Sequence, residues 1–126
     1  MLLNRDPSEA YRRVDFDARV QGADSRQLVD LCLEQVAGSL GRAVHAANRG
    51  DNGAKSAALT RAVAALTALQ MGVDPAAPTG EALLQLYQAA RVSILDCVLA
   101  FNPARLMQIR QDFIEIRAAM LGATPA

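Results

Sequence analysis

Four long stretches of the chain place apolar residues three and four positions apart, and short turn-rich segments separate them. This spacing lines the apolar side chains along one face of a helix, whereas a β-strand would alternate them at every second residue. In the first stretch the row contains Val29, Leu33, Val36, Leu40 and Val44. Ala and Leu, both strong helix formers, supply much of the 52% hydrophobic content. The sequence therefore predicts an all-α fold.

Turn and capping residues mark the ends of the predicted helices. Asp24 with Gln27 three residues later is typical of a capping box at a helix start. Gly50 ends the first helix, and Asn102 followed by Pro103 begins the last. The predicted helices span about 25–48, 53–71, 80–101 and 103–121. Because the loops between them are short, we expect an antiparallel four-helix bundle over residues 24–122.

The two ends of the chain do not show the helical pattern of the bundle. Residues 1–23 are polar, with Pro7 and Gly22 as breakers, so we expect a short segment that packs on the bundle. Tyr11, Val14 and Phe16 are its isolated apolar residues, suited to a short amphipathic piece. Residues 123–126 are predicted to form a disordered tail.

Composition excludes several classes of protein. Thirteen basic and thirteen acidic residues cancel, so the basic excess expected of a nucleic-acid-binding protein is missing. No signal peptide is recognisable, and no uncharged apolar run reaches the roughly 18 residues of a membrane span. Cys32 and Cys97 form no CxxC pair and are expected to be buried, reduced thiols. We predict a cytoplasmic protein.

No residue pattern predicts catalysis, a cofactor or a metal site. His45 is the only histidine, so a phosphotransfer bundle that uses it is one alternative function. Its position in the last turn of the first helix also suits a purely structural role, because a cation there complements the helix dipole. The Glu-x-x-His pairs of di-iron bundles and Gly-rich phosphate loops are both missing from the sequence. An enzyme is not expected.

The first two helices carry more apolar surface than a small bundle can bury. The apolar arc of the first helix is wide, and the second helix is rich in Ala on its remaining side. Exposed contiguous apolar surface usually marks a partner site, and an Ala-lined groove admits a partner helix closely. From periodicity alone, a partner helix and a second copy of the chain in a homodimer explain this extra apolar surface about equally well.

Several landmarks, in order, resemble the FliS family of flagellin export chaperones. They are Ala10-Tyr11, the helix start at residues 23–29, Gly50-Asp51, Val73-Asp74 before Gly80 and Leu86-Tyr87, and Arg117 near the end of the last helix. The resemblance covers about Ala10 to Met120. Two positions depart from the family pattern: residues 32–35 replace its LYDG, and Met120 stands where it has Trp.

The resemblance implies a helical bundle that binds the C-terminal segment of flagellin, prevents premature polymerisation and assists delivery to the type III export apparatus. An export-gate component or co-chaperone would be a further partner. It also implies an N-terminal plug over the client groove, for which Tyr11 and Val14 are the candidates. For the groove itself we select Leu28, Leu31, Cys32, Leu59, Val63 and Leu66, although a place in the core is favoured somewhat for each and periodicity does not show which apolar row faces inward.

Overall fold

The computed structural model describes residues 7–22 and 24–122, and the predicted tail 123–126 lies outside them. Its described residues form five α-helices and no strand, which confirms the all-α prediction. The helices are α1 Pro7–Gln21, α2 Ser25–Asn48, α3 Asn52–Met71, α4 Gly80–Leu99 and α5 Pro103–Gly122.

The segment before α2 is more regular than expected. It forms a helix of 15 residues that begins at Pro7, with Gly22 directly after its end. Proline is favoured at the first helical position because its φ is fixed near the helical value and its missing N–H is not needed there. Pro7 therefore starts a helix rather than breaking one.

Local hydrogen bonds fix most helix ends. The Asp24 carboxylate accepts from the Gln27 backbone N–H at 2.8 Å, and the Asp24 N–H donates to the Gln27 side chain at 3.0 Å. After α2, Gly50 adopts a φ of 73°, a conformation that favours glycine, and Asp51 then caps α3. Thr79 occupies the cap position of α4 without a side-chain hydrogen bond.

Helix α2 is the centre of the bundle. It packs against α3 on one side and α5 on the other, while α4 packs on α3 and less extensively on α5. Arg117 near the end of α5 contacts Asp30 near the start of α2, and Arg110 lies against Gly41 further along. These two contacts show that α2 and α5 run antiparallel.

The core lies among α2, α3, α4 and α5. Its two large rings are Tyr87 and Phe113, with centroids 6.1 Å apart, which join α4 to α5. The fully buried aliphatic side chains are Leu33, Val36, Leu40, Leu66, Ile94 and Leu106. Each helix from α2 to α5 thus contributes one face to a common core, as a bundle requires.

Helix α4 is apolar well beyond the part that the core uses. Among the described residues, it is the helix long and apolar enough to cross a membrane by length and composition, with a mean hydropathy of 1.3. Tyr87, Ile94 and Cys97 account for its buried side. Four apolar side chains remain exposed on it: Val92, Leu95, Val98 and Leu99.

Candidate functional site

Helix α1 covers a groove between α2 and α3 and leaves a cavity of about 420 Å³ beneath it. From α1, the cavity is lined by Arg13, Phe16 and Asp17. The floor and walls, which we call the α2–α3 groove, are formed by Leu28, Cys32, Gln35, Thr60, Arg61, Ala64, Ala65 and Ala68. The small side chains of the three alanines leave this space between α1 and α3 unfilled.

Among the described side chains of α1, Phe16 packs against the core of the bundle. The Arg61 guanidinium lies 5.9 Å from the centre of its ring, within the range of a cation–π contact. With its amide turned to accept, Gln35 receives hydrogen bonds from two Arg61 nitrogens, both at 2.7 Å. Gln35 thereby holds Arg61 over the aromatic ring.

The six residues selected from the sequence divide between core and groove. Leu31, Cys32, Leu59 and Leu66 are buried in the free chain, at 8%, 3%, 3% and 0% exposure. Val63 is partly buried against the core, and Leu28 is 37% exposed at the edge of the groove. Only Leu28 and Cys32 of the six line the cavity. Partner binding by these residues stays a prediction.

Cys32 lies on the floor of the α2–α3 groove as a free thiol. Desolvation by burial raises the pKa of this thiol, so it stays protonated near neutral pH. A protonated, covered thiol reacts slowly, which makes Cys32 a reporter of whether α1 is in place.

Phe16 of α1 contacts the bundle formed by α2 to α5, whereas the side chain of Tyr11 is 77% exposed. Five residues along a helix rotate a side chain by about 140°, so these two rings cannot face the same surface. Val14 lies in α1, and its side chain is outside the part of the chain that the structure describes.

A charge network joins α1, α2 and α5 beside the groove. Arg117 binds Asp30 through Nε at 2.6 Å and Nη2 at 3.1 Å, and it also reaches Glu34 at 3.2 Å. Arg19 of α1 pairs with the other oxygen of Glu34 at 3.4 Å. Hydrogen bonding from Arg117 lowers the pKa of Asp30, and the charges of Arg117 and Arg19 add to this against the opposing effect of burial.

Sequence reasoning missed Arg61, Gln35 and the Glu34 network as parts of this site. Arg61 faces the Phe16 ring because two segments 45 residues apart in the sequence meet in the fold. Asp30 and Arg117 are separated by 87 residues. Helical periodicity reports which residues share a face of one helix, and it carries no information on such distant pairs.

Two further features lie outside the α2–α3 groove. A second cavity of about 540 Å³ lies at one end of the bundle, with Val29, Val73, Leu83 and Met120 among its lining residues. His45 is exposed in the last turn of α2. Nothing in its described surroundings favours the phosphotransfer alternative.

Comparison with known proteins gives one family. The family described as "Flagellar protein FliS" matches residues 7–124, nearly the whole chain. No match to an individual curated protein was found. The matched range includes all five helices and therefore the α2–α3 groove together with its cover.

Proposed function

This chain belongs to the FliS family of flagellar export chaperones, and we propose that its client is the C-terminal segment of newly made flagellin, bound in the cytoplasm. Binding would cover the residues that drive filament assembly until flagellin reaches the type III export apparatus. This role needs a surface for a helix and no catalytic group.

The observation that carries the proposal is the incomplete fit of α1 in the α2–α3 groove. Among the described side chains of α1, the ring of Phe16 is only partly buried and the ion pair of Arg19 with Glu34 is exposed, and a cavity of about 420 Å³ remains beside them. A client helix with larger apolar side chains fills that cavity better than α1 does. We infer that α1 covers the groove in the free chaperone and leaves when flagellin binds.

Coupled folding sets the affinity of such a complex. The client segment is expected to be disordered when free and helical when bound, and ordering it costs about 2–5 kcal/mol or more of the gross interaction energy. Removing α1 from the groove adds to that cost. Both terms favour release at the export apparatus without a nucleotide, because the complex stays weaker than its contact area would indicate.

The test is calorimetric titration of the full chain with a peptide of the last roughly 40 residues of flagellin from the same organism, a length able to occupy several helical surfaces. We expect saturable binding and a gain in helicity by circular dichroism. Ala64→Arg places a long cation in the groove and should weaken binding by about tenfold or more, equivalent to about 1.4 kcal/mol.

A matched control is Ala89→Arg, which makes the same change on exposed α4 outside the groove. It should leave the affinity unchanged. Equal loss in both variants would move the client to another surface, and no binding by the unaltered chain would refute the chaperone proposal. Light scattering on dilution identifies the homodimer, which would persist at micromolar concentration without peptide.

A further inference from the structure

The helix that now occupies the α2–α3 groove shows what the groove selects. In α1, Phe16 faces the cavity and Arg19 follows three residues later. Residues three apart lie on the same face of a helix, one turn from each other. A single turn of α1 therefore places an apolar ring in the α2–α3 groove and a cation against Glu34, on the side of α2 that faces α5.

The body of the protein offers a matching partner for each of these groups. Gln35 holds the Arg61 guanidinium above the ring position by two hydrogen bonds of 2.7 Å, and a guanidinium favours the face of an aromatic ring. Glu34 supplies the negative charge, with 42% of its side chain exposed. Arg117 also contacts Glu34, but it already binds Asp30 through two nitrogens.

We propose that the client helix replacing α1 carries an aromatic or long apolar residue followed three positions later by Arg or Lys, and that it runs in the same direction as α1. The inference rests on the proposed function and specifies its partner. Departure of α1 empties the site beside Arg61 and removes Arg19 from Glu34. A client with this pair restores both contacts, whereas an acidic residue at the second position would meet Glu34 and Asp30.

The experiment uses the full chain carrying Arg19→Ala, so that α1 no longer competes for Glu34. Its partner is the flagellin C-terminal peptide described above. In separate peptides, each aromatic or long apolar residue with Arg or Lys three positions before or after it is changed to Ala, and each such cation is changed to Gln. Each peptide is titrated against Arg19→Ala and against Arg19→Ala with Glu34→Gln.

One apolar position should stand out, with a loss of about tenfold or more when truncated, as expected for a buried interface anchor. The cation three residues after it should cost about twofold to fivefold, the range of an exposed ion pair. That second loss should vanish in the chain with Glu34→Gln, because the two substitutions remove the same contact. Arg19 and Glu34 are both about half exposed, so neither variant threatens the fold.

Three results would overturn the inference. A peptide that binds with no cation coupled to Glu34 refutes it and leaves the proposed function standing. A coupled cation three residues before the anchor shows a client helix of opposite direction. Absence of binding to either chain refutes the proposed function and the inference with it.

Discussion

The contact of α2 with α3 and the contact of α2 with α1 use the same helix in opposite ways. Against α3, fully buried side chains such as Val36, Leu40 and Leu66 interlock at 0% exposure. Against α1, the contacts of the described side chains include the partly buried ring of Phe16 and the exposed ion pair of Arg19 with Glu34, beside a cavity of about 420 Å³. Close packing stabilises the first contact, and voids lose attractive contacts in the second.

Under the proposed function, this difference separates a permanent body, helices α2 to α5, from a removable cover, helix α1. Proteins open locally where few apolar contacts hold a segment, and the free energy of such opening can lie far below that of global unfolding. The described side chains of α1 show this property, and those of the pair α2–α3 do not. A substitution in the body should therefore change global stability, whereas one under α1 should change access to the groove.

The largest expected effect is in the body. Leu66→Ala removes a side chain with 0% exposure and should reduce the free energy of unfolding by about 2–5 kcal/mol. Chemical denaturation followed by circular dichroism measures this loss. The control is Leu99→Ala, at a side chain 92% exposed, which should change stability by less than about 0.5 kcal/mol. Similar losses in both would mean that α3 is not sealed into the core.

A smaller effect is expected where the loop before α4 touches the helix. A Cβ added at Gly80 would overlap sterically with the Asp74 carbonyl oxygen, a backbone atom that cannot move aside cheaply. Gly80→Ala should therefore cost about 1–3 kcal/mol, the usual range for overpacking.

The matched control for this loop is Gly53→Ala. Gly53 lies in the first turn of α3, where a Cβ meets only the Asp51 side chain, at 3.8 Å. This variant should be neutral or slightly stabilising, by up to about 1 kcal/mol, because Ala restricts the unfolded chain. Equal melting temperatures for the two variants would show that the loop near Asp74 yields without cost.

The sequence predicted the body better than the cover. Capping residues such as Asp24 and Asn102 act on their own neighbours, so the starts of α2 and α5 could be read locally. In α3, by contrast, Ala62 is buried and Ala64 is exposed, and one residue type on all sides gives no periodic signal. The groove beside the alanines of α3 could therefore be located only once the positions of α1 and α2 against α3 were known.

An intermediate effect is expected under the cover itself. Phe16→Ala removes the side chain that packs α1 on the body, so it should leave global unfolding nearly unchanged and expose the groove. Cys32 should then react faster with a thiol reagent, while Cys97, buried in α4 at 4% exposure, should keep its rate. Mass spectrometry of the modified peptides separates the two sites.

Flagellin peptide provides the second half of this test. The variant should bind it more tightly than the unaltered chain, because less competition from α1 remains, and bound peptide should protect Cys32 again. Faster reaction of both cysteines would instead mean that Phe16 stabilises the whole bundle, and the distinction between body and cover would be lost.

The smallest effect concerns the charge network at the edge between the two regions. The folded pKa of Asp30 lies below its ordinary value of 3.8, so its ionised form stabilises the native state above that pH. Because Asp30 and Arg117 are about one-third exposed, Asp30→Asn should cost only about 1 kcal/mol near neutral pH.

As the pH falls through the lowered pKa, Asp30 of the unaltered chain takes up a proton, and the stability contributed by its ionised form is lost. The difference in unfolding free energy between the unaltered chain and Asp30→Asn should therefore shrink towards zero as the pH falls from 3.8 through the lowered pKa. Urea denaturation at neutral and acid pH measures it, with Asp96→Asn on exposed α4 as the control. A difference that persists in acid would mean that Asp30 acts as a neutral hydrogen-bond acceptor, and the Arg117 contact would then hold α2 to α5 by geometry rather than by charge.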